Sequence, residues 1–187
     1  ALGLCVREVC ERLKMGPGDV VVTNHPTCGG SHLPDVTLIA PVFDGGNELL
    51  GYAANRAHHA EIGGIAPGSM SPAAKSLAQE GVVIWPMHLF KAGKARWAQM
   101  EACLRDAPFP TRRIEENLAD LQAQLAAIRM GEAALQEMAS DVGSGKIREQ
   151  MDFIHSQAAQ AIGRKLRHWS GRELRATQRL DNGAELL

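Results

Sequence analysis

The strongest constraint on the fold is a stripe of apolar residues in the second half of the chain. It runs from about residue 113 to residue 140 at helical spacing, through Ile114, Leu118, Leu121, Leu125, Ile128, Leu135 and Met138. This spacing places the side chains on one face of a long helix. After Gly143-Ser144-Gly145, a second helix is predicted from Lys146 to His168. The short link between the two predicts an antiparallel helix pair.

The first half of the chain has a different pattern. A short helix is predicted from residue 2 to about residue 14, and short apolar or β-branched runs predict strands at 20–22, 36–43, 49–54 and 82–85. Asp44-Gly45-Gly46-Asn47 predicts a hairpin turn between two of these strands. Residues 61–81 are rich in Gly, Pro, Ser and Ala, which predicts a long loop. The sequence therefore predicts an α+β fold: a small mixed or antiparallel sheet with glycine-rich site loops, followed by a long antiparallel helix pair.

Length and composition fit one domain. The 187 residues are 45% hydrophobic and 22% charged, which is ordinary for a globular domain with a sizeable core. We expect an α/β part with the site loops at 1–112, the helical pair at 113–170, and the beginning of a truncated further segment at 171–187. Because the chain starts without Met and inside a helical pattern, we expect an internal fragment of a longer protein.

Charge and cysteine content narrow the partners and the compartment. Twenty basic residues against 21 acidic ones give a formal net charge of -1, so no overall field favours nucleic acid or an anionic membrane. The four cysteines show no CxxC spacing, and no apolar run is long enough to cross a bilayer. We therefore expect a cytoplasmic protein with neither nucleic acid nor membrane as partner.

A dense cluster of potential ligands lies between the first two predicted strands, at 24–35. Its glycines allow close approach of a ligand, and His32 and Asp35 would converge on one ion if the loop turns between them. In the structural alternative, Asp35 caps a turn, His32 bonds locally and the glycines only fold the loop. Residue types alone leave the two interpretations equally favoured.

A second cluster, at 55–64, follows the third predicted strand, so the two clusters are expected at the same edge of one sheet. Neighbouring strand residues point to opposite faces, so only one of His58 and His59 is expected in a shared site. Together with His32 and Asp35, that histidine would complete a set of two imidazoles and one carboxylate. Such a set suits Mn, Fe or Zn and leaves positions open for water or substrate.

Three further side chains are candidates for catalysis: Asn24, Arg56 and Glu61. Arg56 can hold a substrate carboxylate by a bidentate contact. Glu61 can be a ligand, a partner of a ligand or a general base. The alternative for Arg56 and Glu61 is a solvated surface side chain.

Other polar residues have weaker cases. Cys28 neighbours histidines in a glycine-rich loop, but a buried, inert thiol is the favoured interpretation, and His25 is similarly ambiguous. On the long helix, a polar stripe supports or closes the site if it lies over the two loops, and is otherwise a solvated face. Its members are Asn117, Asp120 and Gln124.

Two long segments resemble one family. GDVVVTNHPTCGGSHLPDVTLIAPVF followed by ANRAHHAEIGGIAPGSM is similar to the hydantoinase B/5-oxoprolinase family, and the similarity continues through Gln79-Glu80-Gly81 and 113–131. The resemblance implies ATP-dependent opening of a cyclic amide, such as 5-oxoproline or a hydantoin. More distant relatives are subunits of acetone and acetophenone carboxylases, in which His and Asp residues of the corresponding loops hold a metal. For this chain the resemblance thus implies His32, Asp35 and His58 or His59 as ligands.

The chain also departs from the family pattern. Many relatives have NDPYHGGTHLPD and HHADIGG, whereas this sequence has His25 and Ser31 in the first motif and Glu61 in the second. The family works with a hydantoinase A-like subunit or domain, and since no phosphate-binding glycine motif is visible here, ATP is expected on that partner. The partner would phosphorylate the lactam oxygen, and this chain would supply an activated water. Alternatives are a carboxylase-like subunit, or a non-catalytic module that docks through the helical pair.

Overall fold

The protein is described by a computed structural model that covers residues 2–68 and 71–186. It divides into two compact units, Ala1–Ile147 and Arg148–Leu187. The helices are α1 (Leu2–Arg12), α2 (Leu77–Glu80), α3 (Trp97–Arg105), α4 (Ile114–Val142) and α5 (Ser144–Leu166). The strands are β1 (Val20–Thr23), β2 (Asp35–Phe43), β3 (Leu49–His58), β4 (Met87–Lys91), β5 (Lys94–Ala95), β6 (Gln178–Arg179) and β7 (Glu185–Leu186).

The first unit is built on an antiparallel sheet with the strand order β3-β2-β1-β4-β5. Strands β2 and β3 form the predicted hairpin. At its turn the Asp44 carboxylate accepts hydrogen bonds from the amides of Gly46 and Glu48, and Asn47 takes a left-handed conformation with φ of 62°. The α+β class is confirmed, and of the two sheet types predicted, the antiparallel one is observed.

The sheet buries both of its faces, because neighbouring residues of each strand point to opposite sides. On one face, Val21 and Ile39 pack with Cys5 and Val9 of α1. The other face forms the larger core with residues of α3 and α4; its buried members include Val20, Val22, Leu38, Met100, Leu104, Leu121 and Ile128. The middle of the apolar stripe that predicted α4 therefore covers the sheet, with Leu118 and Leu125 packed beside the buried Leu121 and Ile128, whereas Met138 near its end is 55% exposed.

Both predicted long helices are present, separated by Gly143; their antiparallel pairing stays a prediction. The second unit contains most of α5, then a 3-10 turn at Arg167–Trp169 and the antiparallel strands β6 and β7. Among the residues that the structure describes, no helix is both long and apolar enough to cross a membrane.

Two local predictions were wrong. The strand predicted at 82–85 lies outside the ladder, because the Thr23 hydroxyl donates to the Ile84 carbonyl and the Asn24 side chain bonds backbone groups of Val82 and Ile84; β4 begins only at Met87. The predicted loop at 61–81 contains the short helix α2, and its residues 69 and 70 lie outside the described residues. Helix α3 had not been predicted.

Candidate functional site

The site loops meet because four strand ends lie at one edge of the sheet. Strand β1 ends where β2 and β4 begin, with Thr23 paired to Thr37 and Val22 to Met87. Strand β3 ends beside the first residue of β2, in a register that pairs Asp35 with His58. The antiparallel topology therefore brings the loop at 24–34, the segment after His58 and the segment before β4 to the same edge.

Three of the predicted ligands come together at this edge. Oδ1 of Asp35 lies 3.1 Å from Nδ1 of His58, and Oδ2 lies 3.0 Å from Nδ1 of His32. One ligand atom from each residue can be chosen so that all lie within 4.8 Å of one another. The His58 side chain is half exposed, and those of His32 and Asp35 are about a fifth exposed. We call these residues the His–Asp–His triad.

The chemistry of the triad fits a divalent transition-metal ion. Burial raises the pKa of the Asp35 carboxyl, but hydrogen bonds from Ser31 and His58 and the nearby His32 ring lower it more, so the net pKa lies below its ordinary value. The carboxylate is therefore ionised at neutral pH. Two imidazoles and one carboxylate at an open edge match the donor set that Mn, Fe and Zn prefer.

His59 takes no part in the triad, because its side chain points to the opposite side and is 1% exposed. Its Nδ1 lies 2.6 Å from Oδ1 of Asn117, and its Nε2 lies 3.2 Å from Oε1 of Gln124. The half-exposed carboxylate of Asp120 lies 4.0 Å from Nδ1. The polar stripe of α4 therefore contacts the end of β3, as the sequence suggested for a helix lying over these loops.

Two amides of α4 extend this network to the main chain of β2 and of the segment that follows β3. Nδ2 of Asn117 donates to the carbonyls of Glu61 and Arg113, at 2.8 and 3.1 Å. Nε2 of Gln124 donates to the Val36 carbonyl at 3.0 Å. Helix α4 thus holds the residue next to Asp35 in β2 and the segment that follows β3.

Glu61 is buried and bonds its own chain rather than the triad. Its carboxylate accepts hydrogen bonds from the amides of Gly63 and Arg112, the Arg112 guanidinium and the Thr111 hydroxyl. Burial raises the pKa of Glu61, but these donors lower it more, and the net shift is downward. Both carboxylate oxygens have partners within the chain, so Glu61 ties the segment after His59 to the residues just before α4.

Asn24 and Arg56 are also held by backbone groups. Nδ2 of Asn24 donates to the carbonyls of Leu33 and Val82, each at 2.8 Å, and its Oδ1 accepts from the Ile84 amide at 2.7 Å. The Arg56 guanidinium donates to the Thr37 hydroxyl and to the Gly29 carbonyl. The structure therefore brings neither residue into the triad, and their catalytic roles stay predictions.

Several partners of the site were missed in the sequence. Ser31 bonds Asp35 from four residues away, and a hydroxyl so near a candidate ligand in the same loop was a usable local signal. Thr111 and Arg112 bond Glu61 from about 50 residues away. The Trp85 ring stacks on His25 across the loops. Local sequence patterns predict neither the contacts of Thr111 and Arg112 with Glu61 nor the stacking of Trp85 on His25.

Comparison with known proteins gives a consistent picture. The model of a family described as Hydantoinase B/oxoprolinase matches residues 1–186. The chain is 41% identical to 5-oxoprolinase 1 of Arabidopsis thaliana over 169 residues, covering 84% of this chain and 13% of that protein. It is 36% identical to the 5-oxoprolinase of Saccharomyces cerevisiae over 181 residues, covering 91% of this chain and 14% of that protein. The chain thus spans only about a seventh of the length of these relatives.

A solved structure has the same fold. The crystal structure of the ATP-dependent caprolactamase from Pseudomonas jessenii superposes with a TM-score of 0.74 at 25% sequence identity. The match covers 88% of this chain and 28% of that one. The arrangement of sheet and long helix is therefore shared with a larger protein.

Proposed function

Because the chain belongs to the hydantoinase B/oxoprolinase family, we propose that it forms the metal-holding part of an ATP-dependent enzyme that hydrolyses cyclic amides. One observation carries the proposal: the His–Asp–His triad, which offers a transition-metal donor set at an exposed sheet edge. The 5-oxoprolinases and the ATP-dependent caprolactamase among the similar proteins support amide opening as the reaction class. The substrate is 5-oxoproline or a hydantoin.

The residues of the chain have distinct roles in this proposal. A divalent ion bound by the triad would supply Lewis-acid chemistry, polarising a carbonyl or lowering the pKa of water. Asp35 orients both imidazoles, since each of its oxygens faces one ring. The half-exposed His58 leaves the outer side of the centre accessible to a substrate.

The three candidates for catalysis act here by positioning. Asn24 holds the first site loop against the segment before β4, and Arg56 holds the Gly29 carbonyl of the same loop. Glu61 holds the second site segment against the residues just before α4. Since their polar groups bond the chain itself, each keeps a loop in place while the triad faces the substrate.

ATP belongs to another part of the enzyme in this proposal. The sequence contains no phosphate-binding glycine motif, and the similar 5-oxoprolinases are about seven times longer than the matched region. A hydantoinase A-like subunit or domain would bind ATP and activate the amide oxygen by phosphorylation. The chain described here would then contribute the step in which water opens the ring.

Metal analysis of the purified chain tests the proposal. The wild-type chain is loaded separately with Mn, Zn and Fe and is compared with the His32→Ala and Asp35→Asn variants. The control variant is His155→Ala, which removes an exposed histidine of α5 outside the triad. We expect near-stoichiometric metal in the wild type and the control, and loss from the two triad variants with unchanged circular dichroism. A folded wild-type chain that retains none of these metals would contradict the centre and favour an interaction module.

A further inference from the structure

His25 has a fixed ring at the same sheet edge as the triad. It follows β1 and caps the 3-10 turn at Pro26–Cys28. Its ring stacks on the indole of Trp85, with the centroids 3.8 Å apart and the planes inclined by 25°. His25 is 7% exposed whereas Trp85 is 60% exposed, so the imidazole lies under an open aromatic surface that fixes its plane.

The proton of the neutral ring lies on Nε2. The main-chain amide of Thr27 donates to Nδ1 of His25 at 3.2 Å, and the Thr27 hydroxyl lies 2.8 Å from the same atom. A main-chain N–H can only donate, so Nδ1 must be the unprotonated nitrogen. A neutral imidazole then carries its hydrogen on Nε2 and offers it as a donor.

The surroundings keep this ring neutral. Burial lowers the pKa of His25, and the positive charge of Arg12 lowers it further. At neutral pH the side chain is therefore an uncharged donor, which is the form that polarises a carbonyl in other enzymes with a neutral catalytic histidine.

The donor on Nε2 is available to a ligand. None of the described residues hydrogen-bonds this atom; the hydrogen bonds of the ring involve Thr27, and its stacking involves Trp85. Over 2–68 and 71–186, no buried side-chain nitrogen or oxygen lacks a partner. With no partner among these residues, Nε2 is therefore at least partly accessible rather than enclosed by them.

The loop itself connects His25 to the triad. The His25 carbonyl accepts the amides of Cys28 and Gly30, at 2.9 and 3.3 Å. A Cβ on Gly30 would lie 2.6 Å from the Asn24 carbonyl oxygen, so this closure requires glycine. The next residue, Ser31, donates to the Asp35 carboxylate. A short closed loop thus places the free donor and the candidate ligands at one edge.

We infer that His25 binds substrate directly, donating a hydrogen bond from Nε2 to an oxygen of the cyclic amide. This inference rests on the proposed function and extends it with a residue outside the triad. The acceptor is an uncharged carbonyl or a carboxylate oxygen, and no proton transfer is involved. A bond of this kind positions the cyclic amide at the sheet edge that carries the triad.

Two substitutions separate this role from the structural role of the ring. His25→Asn places an oxygen where Nδ1 accepts the Thr27 amide but has no atom at the position of Nε2. His25→Gln places an amide donor near Nε2. We expect the metal-loaded His25→Asn chain to bind 5-oxoproline about tenfold more weakly than wild type, because a tenfold change corresponds to the loss of one hydrogen bond of about 1.4 kcal/mol. The His25→Gln chain is expected to recover most of the affinity.

Calorimetry with 5-oxoproline and with a hydantoin measures the affinities, and ¹⁵N spectra of the ring report the tautomer. We expect an Nε2–H tautomer whose Nε2 resonance moves when a probe binds. Equal affinity of wild type and His25→Asn would overturn the inference, as would an Nδ1–H tautomer or a metal-loaded wild type that binds neither probe. Metal content is measured in the same samples, so failure of the metal centre is distinguished from failure of His25.

Discussion

Replacing Asn117 with alanine is expected to cost about 3 kcal/mol of unfolding free energy. The Asn117 side chain is 2% exposed. It contacts Nδ1 of His59 through Oδ1, and through Nδ2 it contacts the Glu61 carbonyl, the Thr111 hydroxyl and the Arg113 carbonyl. A hydrogen bond contributes about 1 kcal/mol net, and a buried group left without a partner costs about 1–3 kcal/mol. The hydrogen bonds to His59 and Glu61 are fully buried. Leaving these two groups without a partner accounts for most of the expected loss of about 3 kcal/mol.

Urea unfolding followed by circular dichroism measures this change, with Gln122→Ala as the matched control. Gln122 lies on the exposed face of the same helix, so its replacement is expected to change the unfolding free energy by less than about 0.5 kcal/mol. Both variants gain the higher helix propensity of alanine. The difference between them therefore isolates the buried network from any general effect on α4.

The same variant tests whether the network positions the triad. Asn117 holds His59, the neighbour of His58 at the end of β3, and loss of residues that support metal ligands commonly lowers metal affinity 10- to 100-fold. We expect about a tenfold fall in competition with a chelator, at temperatures where the variant is folded. A destabilisation below about 1 kcal/mol would refute the buried-network reasoning, and unchanged metal affinity would show that strand pairing alone positions His58.

Two other predictions concern the fold, one beside the site and one at the opposite end of β1. Gly63→Ala is expected to lower the melting temperature strongly, because φ is +89° and the added Cβ would lie 2.4 Å from a carbonyl oxygen, whereas Gly45→Ala, with nothing within 4 Å, should leave it almost unchanged. For Asp19, burial raises the pKa, but Lys91 and the Ala92 amide help to lower it below its ordinary value of 3.8. The ionised Asp19 therefore stabilises the fold above pH 3.8, and this stabilisation is lost as the pH falls through the lowered pKa. In urea unfolding, Asp19→Asn should lower the free energy of unfolding by about 2 kcal/mol at pH 7 and by less at pH 3. An equal loss at both pH values would contradict this.

The parts of the fold that could be predicted are those set by local pattern. The apolar stripe specified α4, and the Asp-Gly-Gly-Asn turn specified the β2–β3 hairpin. The run at 82–85 has the composition of a strand but lies outside the ladder. Its backbone groups instead bond the side chains of Thr23 and Asn24, about 60 residues away. Because these partners are so far away along the chain, the local sequence around 82–85 does not reveal that its backbone groups bond side chains instead of a neighbouring strand.

The candidate site was predictable to a similar extent. Alternation along a strand separates His58 from His59, but only the pairing of β2 with β3 decides that His58 stands opposite Asp35. Glu61 has the same residue type and glycine-rich setting as a ligand would have. What distinguishes it is the set of hydrogen-bond donors that Thr111 and Arg112 supply from the segment just before α4. Residue types are enough to predict which polar residues cluster. Which of them are exposed and which are buried structural residues depends on the tertiary contacts.

This division bears on how a centre of this kind would act. The side chains directed inward, such as His59 and Glu61, are buried and fully bonded, so they hold the site rigidly from behind. The triad faces outward, and its His58 side chain is 52% exposed. Electrostatic catalysis is most effective where water is excluded. Under the proposed function, water has to be excluded from the outer side of the triad during ring opening, and a substrate bound on that side would itself exclude it.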